Sequence, residues 1–286
     1  MNEQELLAER FEAHRTYLHS VAYRMLGSTG EADDAVQEAW LRLSRSDSDA
    51  VDNLRAWLTT VVGRVSLDML RARKARREDP DGSDHIEPVV SEAAEEDPAQ
   101  EAEIADSVGL AMLVVLENLS PAERVAFVLH DMFGVPFSEI GEIAGRSPDA
   151  ARQLASRARR TVRGSVPPPD PDLVQQRRVV EAFLAAARAG DFEALLEVLD
   201  PDVVQRVHTA EGDRRAAPPA VGAENVARRA LARGRPFAPH GRPAIVNGGM
   251  GVVVDIEGKR FAVVACTISN GRIAAMDIFL EPIERP

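Results

Sequence analysis

Apolar positions near the start of the chain return at three- and four-residue steps. Phe11, His14, Tyr17, Leu18, Val21, Ala22 and Met25 fall on one stripe, which predicts an amphipathic helix. Gly27-Ser28-Thr29-Gly30 interrupts it. Val36, Ala39, Trp40 and Leu43 mark a second helix, and Leu54, Trp57, Leu58, Val61, Val65 and Leu70 mark a third from about Asn53. Helical periodicity resumes from Ile104 to Val162. Within it, Ser120-Pro121-Ala122-Glu123 is a start signal: a capping Ser, Pro at the first helical position and Glu at the third. Val174 to Leu199 is again helical, broken at Gly190. The period then changes. Val203–Val207, Ile245–Val246, Gly251–Ile256, Phe261–Thr267 and Ile273–Phe279 read as strands, with Glu257-Gly258 and Asn270-Gly271 as hairpin turns. The tail is therefore expected to be an α+β domain built on an antiparallel sheet.

Two stretches lack periodicity. Residues 78–106 are rich in acid, Pro, Ala and Ser and are expected to form a flexible acidic linker. Gly164 to Asp172 holds four prolines in nine residues and is expected to be an extended tether. The predicted domains are 1–77, 107–163 and 173–286, joined by linkers 78–106 and 164–172.

Composition narrows the function classes. The chain has 286 residues, 45% of them hydrophobic, enough for several packed cores. No apolar run reaches membrane-span length, and Met1 to Arg15 does not read as a signal peptide. The single cysteine, Cys266, has no internal partner and is expected to be a buried, inert thiol. Cytoplasm is the expected compartment, with no membrane partner. The net charge of −12 at first argues against nucleic acid, but the charge is segregated. Arg64 to Arg77 carries six basic residues and one acid, Glu78 to Asp106 carries twelve acids and no Lys or Arg, and Arg146 to Arg163 carries six arginines and one acid. Two basic segments flank an acidic one, and phosphate binding responds to local charge.

The segment Phe137 to Val162 carries the most chemistry. A short helix ends at Gly145, Ser147 caps a second with Pro148 at its first position, and Ala151, Leu154, Ala158 and Val162 face inward. Asp149, Arg152, Gln153, Ser156, Arg157 and Arg160 face outward. This is a helix-turn-helix whose second helix offers Arg and Gln near its start, suited to base edges in a major groove, with later arginines suited to phosphates. Trp57 precedes the first basic run, and an aromatic followed by cations suits an unpaired base and its backbone. Asp33, Asp34, Gln37 and Glu38 form a polar helix face, which by physics alone is only a solvated surface.

These motifs resemble a known family. Asp33 to Leu43, Arg55-Ala56-Trp57-Leu58-Thr59-Thr60-Val61-Val62 and Leu67-Asp68-Met69-Leu70-Arg71 resemble region 2 of extracytoplasmic-function sigma factors. Leu119 to Arg124 and the following helix-turn-helix resemble region 4. The resemblance implies that Asp33, Asp34, Gln37, Glu38 and Leu41 dock core RNA polymerase. It implies that Trp57, Arg64, Arg71, Arg73 and Lys74 bind the promoter −10 element, and that Arg146, Ser147, Asp149, Arg152, Gln153, Ser156, Arg157 and Arg160 bind the −35 element. The expected fold is multidomain: two all-α sigma domains followed by an α+β, cone-shaped, SnoaL-like barrel.

The tail resembles the SnoaL-like domains fused to one subgroup of these factors, through Gly190-Asp191, Asp200-Pro201-Asp202-Val203 and Val246-Asn247-Gly248. Three subgroup motifs are altered. His85-Ile86-Glu87-Pro88 stands for a Trp-Leu-Pro-Glu-Pro-like motif, Glu211-Gly212-Asp213 for an Asp-Gly-Gly-Gly-like turn, and Leu280-Glu281-Pro282 for an Asn-Pro-Asp-Lys-like end. The resemblance implies regulation in cis, through Asp202, Glu211, Gly212, Asp213 and Asn247, in place of a separate anti-sigma protein. A small-molecule ligand in the tail is a further expectation.

No nucleophile, metal cluster, phosphate loop or cofactor motif is visible in the sequence. Asp202, His208, Asp255 and Asp277 are acid–base candidates if the tail is an enzyme, but spacing does not bring any two together. Two readings stand beside the sigma factor: an operator-binding regulator acting without polymerase, and a DNA-tethered enzyme or ligand sensor.

Overall fold

A computed structural model describes residues 3–45, 53–77, 87–91, 110–163, 170, 172–209 and 217–281. The chain divides into two compact units, Met1–Glu87 with Val115–Arg163, and Pro88–Val114 with Gly164–Pro286.

The first unit is helical. α1 (Glu3–Leu26), α2 (Thr29–Leu43) and α3 (Leu54–Arg77) form a bundle. The predicted stripes meet at its centre: Leu18, Val21 and Met25 of α1, Ala35 and Leu43 of α2, and Leu58 and Val62 of α3 are all inaccessible to solvent. Each fully buried Leu, Val or Met contributes about 1.5–3 kcal/mol. The turn at Gly27 is closed by Ser28, whose hydroxyl accepts from the Glu31 N–H at 3.3 Å and starts α2.

α4 (Leu110–Glu117) precedes α5 (Pro121–Phe127). The capping box expected from the sequence is formed. Ser120 Oγ accepts from the Glu123 N–H at 3.4 Å, and the Glu123 carboxylate accepts from the Ser120 N–H at 3.2 Å. A single π turn, Val128–Met132, extends α5. α6 (Phe137–Ala144) and α7 (Pro148–Arg163) then form the helix-turn-helix. Gly145 makes the turn at φ 66°, and Gly141 lets it close. A Cβ on Gly141 would lie 2.8 Å from the Arg146 carbonyl oxygen. The helix-turn-helix packs against α3, where a Cβ on Gly63 would lie 3.2 Å from Ile143 Cδ1. Phe133 adds an edge-on contact to Tyr17 at 5.5 Å.

The second unit is α+β. A seven-stranded sheet has the order β1-β4-β5-β6-β7-β2-β3. The strands are β1 (Val90–Ser91), β2 (Leu199–His208), β3 (Ala220–Val221), β4 (Gly241–Val246), β5 (Gly249–Ile256), β6 (Lys259–Ser269) and β7 (Arg272–Leu280). The predicted turns Glu257-Gly258 and Asn270-Gly271 join β5–β6 and β6–β7, and Asn247-Gly248 makes a third. All six residues have positive φ, the geometry that matches strand twist. α8 (Leu173–Ala189) packs on β4, β5 and β6, while α9 (Phe192–Val198) and α10 (Ala223–Arg229) pack on β2. The core centres on Val180, Leu195, Val203, Val226 and Ile273.

Three expectations are corrected. The sheet is not wholly antiparallel: β2 pairs parallel with β7, because the helix α10 and the β4–β6 meander intervene before β7 returns beside it. Residues 87–91 of the supposed acidic linker are built into the fold. Val90 and Ser91 pair antiparallel with Val246 and Ile245 as β1. The second linker is shorter than nine residues. The Asp170 N–H donates to the Ile268 carbonyl at 2.7 Å, its carboxylate accepts from the Asn270 and Gly271 N–H groups at 3.0 and 2.8 Å, and Asp172 caps α8. A short acid beside an Asn-Gly turn satisfies turn N–H groups that would otherwise face water.

Candidate nucleic-acid interface

α2 presents Asp33, Asp34, Gln37 and Leu41 to solvent, with Glu38 half-buried. Apolar residues on its other face bury it, so the charged stripe is left outward. Glu38 accepts from Arg42 at 2.9 Å, and Leu41 is an exposed large apolar side chain on an otherwise polar surface.

On α3, Trp57 is half-buried, and Arg71 and Lys74 are exposed. Arg64 is exposed and donates to the Glu142 carbonyl of α6 at 3.4 Å. Arg73 is placed differently from the expectation. Its guanidinium donates twice to the Leu26 carbonyl at 3.0 Å and pairs with Glu31, and its side chain is only 12% exposed. Charge at the C-terminal end of α1 and an acid in the first turn of α2 draw it inward. Arg73 ties helix ends together, a role that nothing in the basic run of the sequence distinguishes from its neighbours.

On α7 the predicted inward residues Ala151, Leu154, Ala158 and Val162 are buried, and Ala155 joins them. Arg146, Ser147, Asp149, Arg152, Gln153, Ser156, Arg157 and Arg160 are exposed. Ser147 Oγ accepts from the Ala150 N–H at 3.2 Å. Arg152 pairs with Asp149 at 2.5 Å and lies over the Phe137 ring at 5.3 Å, so its guanidinium is held at the start of the helix. Arg157 donates to Glu123 at 2.8 Å and Arg159 to Asp131 at 2.6 Å, bracing α7 against α5 and the π turn that extends it. Burial opposes ionisation of Glu123, but hydrogen bonds from Ser120 and Arg157 outweigh it and hold the carboxyl below its ordinary range.

Glu87 and Asn247 hold the segment 87–91. In the helical unit, the Glu87 N–H donates to the Gly27 carbonyl at 2.9 Å, its carbonyl accepts from the Tyr23 hydroxyl at 2.8 Å, and its carboxylate accepts from the Thr29 N–H and hydroxyl at 3.1 and 2.8 Å. In the sheet unit, Asn247 accepts from the Val89 N–H at 2.8 Å and donates its own N–H to the Val89 carbonyl at 2.9 Å. In the sequence, Asn247 stands out only as part of a family pattern. Asp202 is exposed, its N–H donating to Asp200 at 2.9 Å. Glu211, Gly212, Asp213, His85, Ile86 and Pro282 lie outside the described residues.

Of the four acid–base candidates in the tail, the fold joins His208 and Asp277, Nε2 to Oδ1 at 3.0 Å, with Arg206 also 3.4 Å from that oxygen. Asp255 pairs instead with Arg242 and Arg260. None of the four lines the tail's cavity. That space of about 410 Å³ lies between α8, the inner sheet face and the α10–Ala238 segment and opens to solvent. Gln205 and Val207 of β2 and Met276 and Ile278 of β7 face it, so the alternation along each strand turns His208 and Asp277 the other way. Gln205 is 3% exposed, and its Oε1 has no hydrogen-bond partner. A buried orphan of this kind costs about 1–3 kcal/mol. Its sequence signal was a polar residue in phase with Val203 and Val207. Burial and the nearby Asp277 carboxylate push the Cys266 thiol up to about 12, so it stays protonated and unreactive. Among the described residues no cluster suits a metal ion, and no helix is long and apolar enough to cross a membrane.

A helical bundle with a basic third helix, followed by a helix-turn-helix, is the arrangement of a DNA-binding protein. Residues 10–76 match the sigma-70 region 2 family and residues 102–162 the sigma-70 region 4 family. The chain is 41% identical over 284 residues to the ECF RNA polymerase sigma factor SigJ of Mycobacterium tuberculosis, covering 93% of this chain and 89% of that one. It is 35% identical over 282 residues to the probable ECF RNA polymerase sigma factor SigI of the same species, covering 99% and 96%. The crystal structure of Mycobacterium tuberculosis SigJ superposes with a TM-score of 0.74 at 35% identity, covering 96% of each chain. The chain belongs to the extracytoplasmic-function family of RNA polymerase sigma factors, and its fold class is the expected one, helical sigma domains followed by an α+β SnoaL-like domain.

Proposed function

We propose that this sigma factor binds core RNA polymerase through the α2 stripe Asp33, Asp34, Gln37, Glu38 and Leu41, and that its own tail regulates it in cis. Trp57, Arg64, Arg71 and Lys74 meet the −10 element, with Arg73 as their structural support. Arg146, Ser147, Asp149, Arg152, Gln153, Ser156, Arg157 and Arg160 meet the −35 element. The observation that carries this reading is the set of polar residues left exposed on α2, α3 and α7 once their apolar faces are buried.

Regulation by the tail rests on residues 87–91, the point at which the chain passes from the helical unit into the sheet unit. Glu87 is bonded within the first, and Val89 is clamped by Asn247 within the second. Asp202, Glu211, Gly212 and Asp213 are the other cis-regulatory candidates. A separate anti-sigma protein is then unnecessary, and the protein works in the cytoplasm beside the polymerase.

The test is in vitro transcription with core polymerase. The full chain directs promoter-specific transcripts, and truncation after Pro168 changes their yield severalfold. Arg152→Ala or Gln153→Ala weakens a cognate −35 site by about 1–3 kcal/mol and spares scrambled DNA. Arg160→Ala weakens both alike, because phosphates carry no sequence. Absence of any specific transcript sinks the promoter reading, and identical output from full-length and truncated protein sinks the regulatory one.

A further inference from the structure

We infer that the cavity of the sheet unit takes an apolar hydroxy-carboxylic acid, with the hydroxyl on Gln205 and the carboxylate on Arg233. This rests on the reading of the tail as a regulator and names the chemistry it senses.

The walls set the body of the ligand. Phe183, Val252, Val254, Phe237, Phe261 and Met276 give an almost wholly apolar lining, so a strongly hydrated molecule would lose more on entry than it gains. The space of about 410 Å³ is within the range of small-molecule sites.

Three polar side chains, Gln205, Arg229 and Arg233, break that lining, and two of them set the functional groups. Gln205 lies at a core position of β2, between Val203 and Val207, and its Oε1 is buried with no partner. A hydroxyl both donates and accepts, so it satisfies a side-chain amide in either orientation. Arg229 and Arg233 lie at the α10 side of the cavity. Arg229 already donates to the Pro218 carbonyl at 2.7 Å. Arg233 is exposed and has no ion-pair partner among the described residues. A guanidinium beside an apolar space recognises a planar carboxylate in a bidentate fork. The His208–Asp277 pair faces away from the cavity, which fits binding of the acid without its conversion.

The probe is 3-hydroxydecanoate, compared with decanoate and 1-decanol, titrated calorimetrically into the full chain. The hydroxy acid should bind one site and raise the melting temperature. Decanoate and 1-decanol should each bind about tenfold more weakly, since each lacks one polar partner. Gln205→Leu should melt higher than wild type in the absence of ligand, because the orphaned amide is gone, and should bind the hydroxy acid no better than decanoate. Arg233→Ala, at an exposed position where folding is not at risk, should lose about tenfold, and Val252→Trp should fill the space and abolish binding. No saturable binding of 3-hydroxydecanoate, or binding indifferent to Val252→Trp, overturns the proposal. Equal affinity for 1-decanol together with an unaffected Arg233→Ala overturns the acid class. Neither outcome touches the cis-regulatory reading, which stands or falls on the truncation after Pro168.

Discussion

In the helical unit the residues proposed to meet polymerase and DNA lie on the outside of helices whose inner faces are apolar. In the sheet unit the residue with the most unusual chemistry, Gln205, lies on the inside. The difference follows from what each surface recognises. A nucleic acid or a large protein reaches only an outer stripe, so function and core occupy separate faces of α2 and α7. A small apolar ligand must be enclosed, so function and core share one face of β2, and a functional residue there weakens the packing it belongs to.

The sharpest way to test that separation is to break each unit at a glycine. A Cβ on Gly141 would sit 2.8 Å from the Arg146 carbonyl oxygen, and one on Gly251 would collide with the Val264 carbonyl oxygen. Neither backbone yields without distorting its turn or sheet. Gly141→Val should abolish promoter-specific transcription while α1–α3 still fold. Gly251→Val should unfold the tail and reproduce the severalfold effect of truncation after Pro168. Circular dichroism and in vitro transcription on both variants check this. Equal losses of transcription would show that the two units do not divide the work as proposed.

A smaller effect should come from separating the elements inside the helical unit. Gly63 on α3 faces Ile143 and Leu129, and a Cβ added to it would meet its nearest atom at 3.2 Å. Gly63→Leu cannot fit there and should push the helix-turn-helix off α3, freeing Arg64 from the Glu142 carbonyl. The isolated wild-type chain, acidic overall at −12, should bind duplex promoter DNA weakly. The variant should bind it severalfold better in a gel-shift titration. Unchanged binding would mean that this packing does not limit access to DNA.

The same contrast explains what is legible in the sequence. Helix stripes such as Leu18-Val21-Met25 and Ala151-Leu154-Ala158 repeat within a few residues, so the helical core and the outward residues of α7 can be read locally. The turns Glu257-Gly258 and Asn270-Gly271 are legible for the same reason, since Gly in both pairs, and Asn in the second, favours positive φ. Arg73 escapes such a reading because basic residues on one helix look alike until the ends of two other helices are placed beside them. The pairing of β1 with β4 joins residues far apart in the chain, Val90 to Val246, and a two-residue strand carries no periodicity. His208 and Asp277 meet only because β2 lies parallel to β7, which no local pattern announces.

The smallest expected effect concerns Glu87, where the chain leaves the helical unit. Its carboxylate accepts from the N–H and hydroxyl of Thr29, the first residue of α2, where the helix dipole also favours a negative charge. Burial opposes ionisation, yet the bonds from Thr29, Ser28 and Gly30 outweigh it and hold the carboxyl below its ordinary 4.5. A carboxyl with a lowered folded value stabilises the fold above its unfolded value and loses that contribution as pH falls through the folded value. Glu87→Gln should therefore cost about 1 kcal/mol near neutral pH, at the low end for a charged hydrogen bond because the residue is exposed. The gap between variant and wild type should close as pH falls below 4.5. Urea unfolding of the helical unit across that pH range measures it. A gap of constant size at every pH would assign the effect to the neutral hydrogen bonds alone, and leave the charge at the start of α2 without a role.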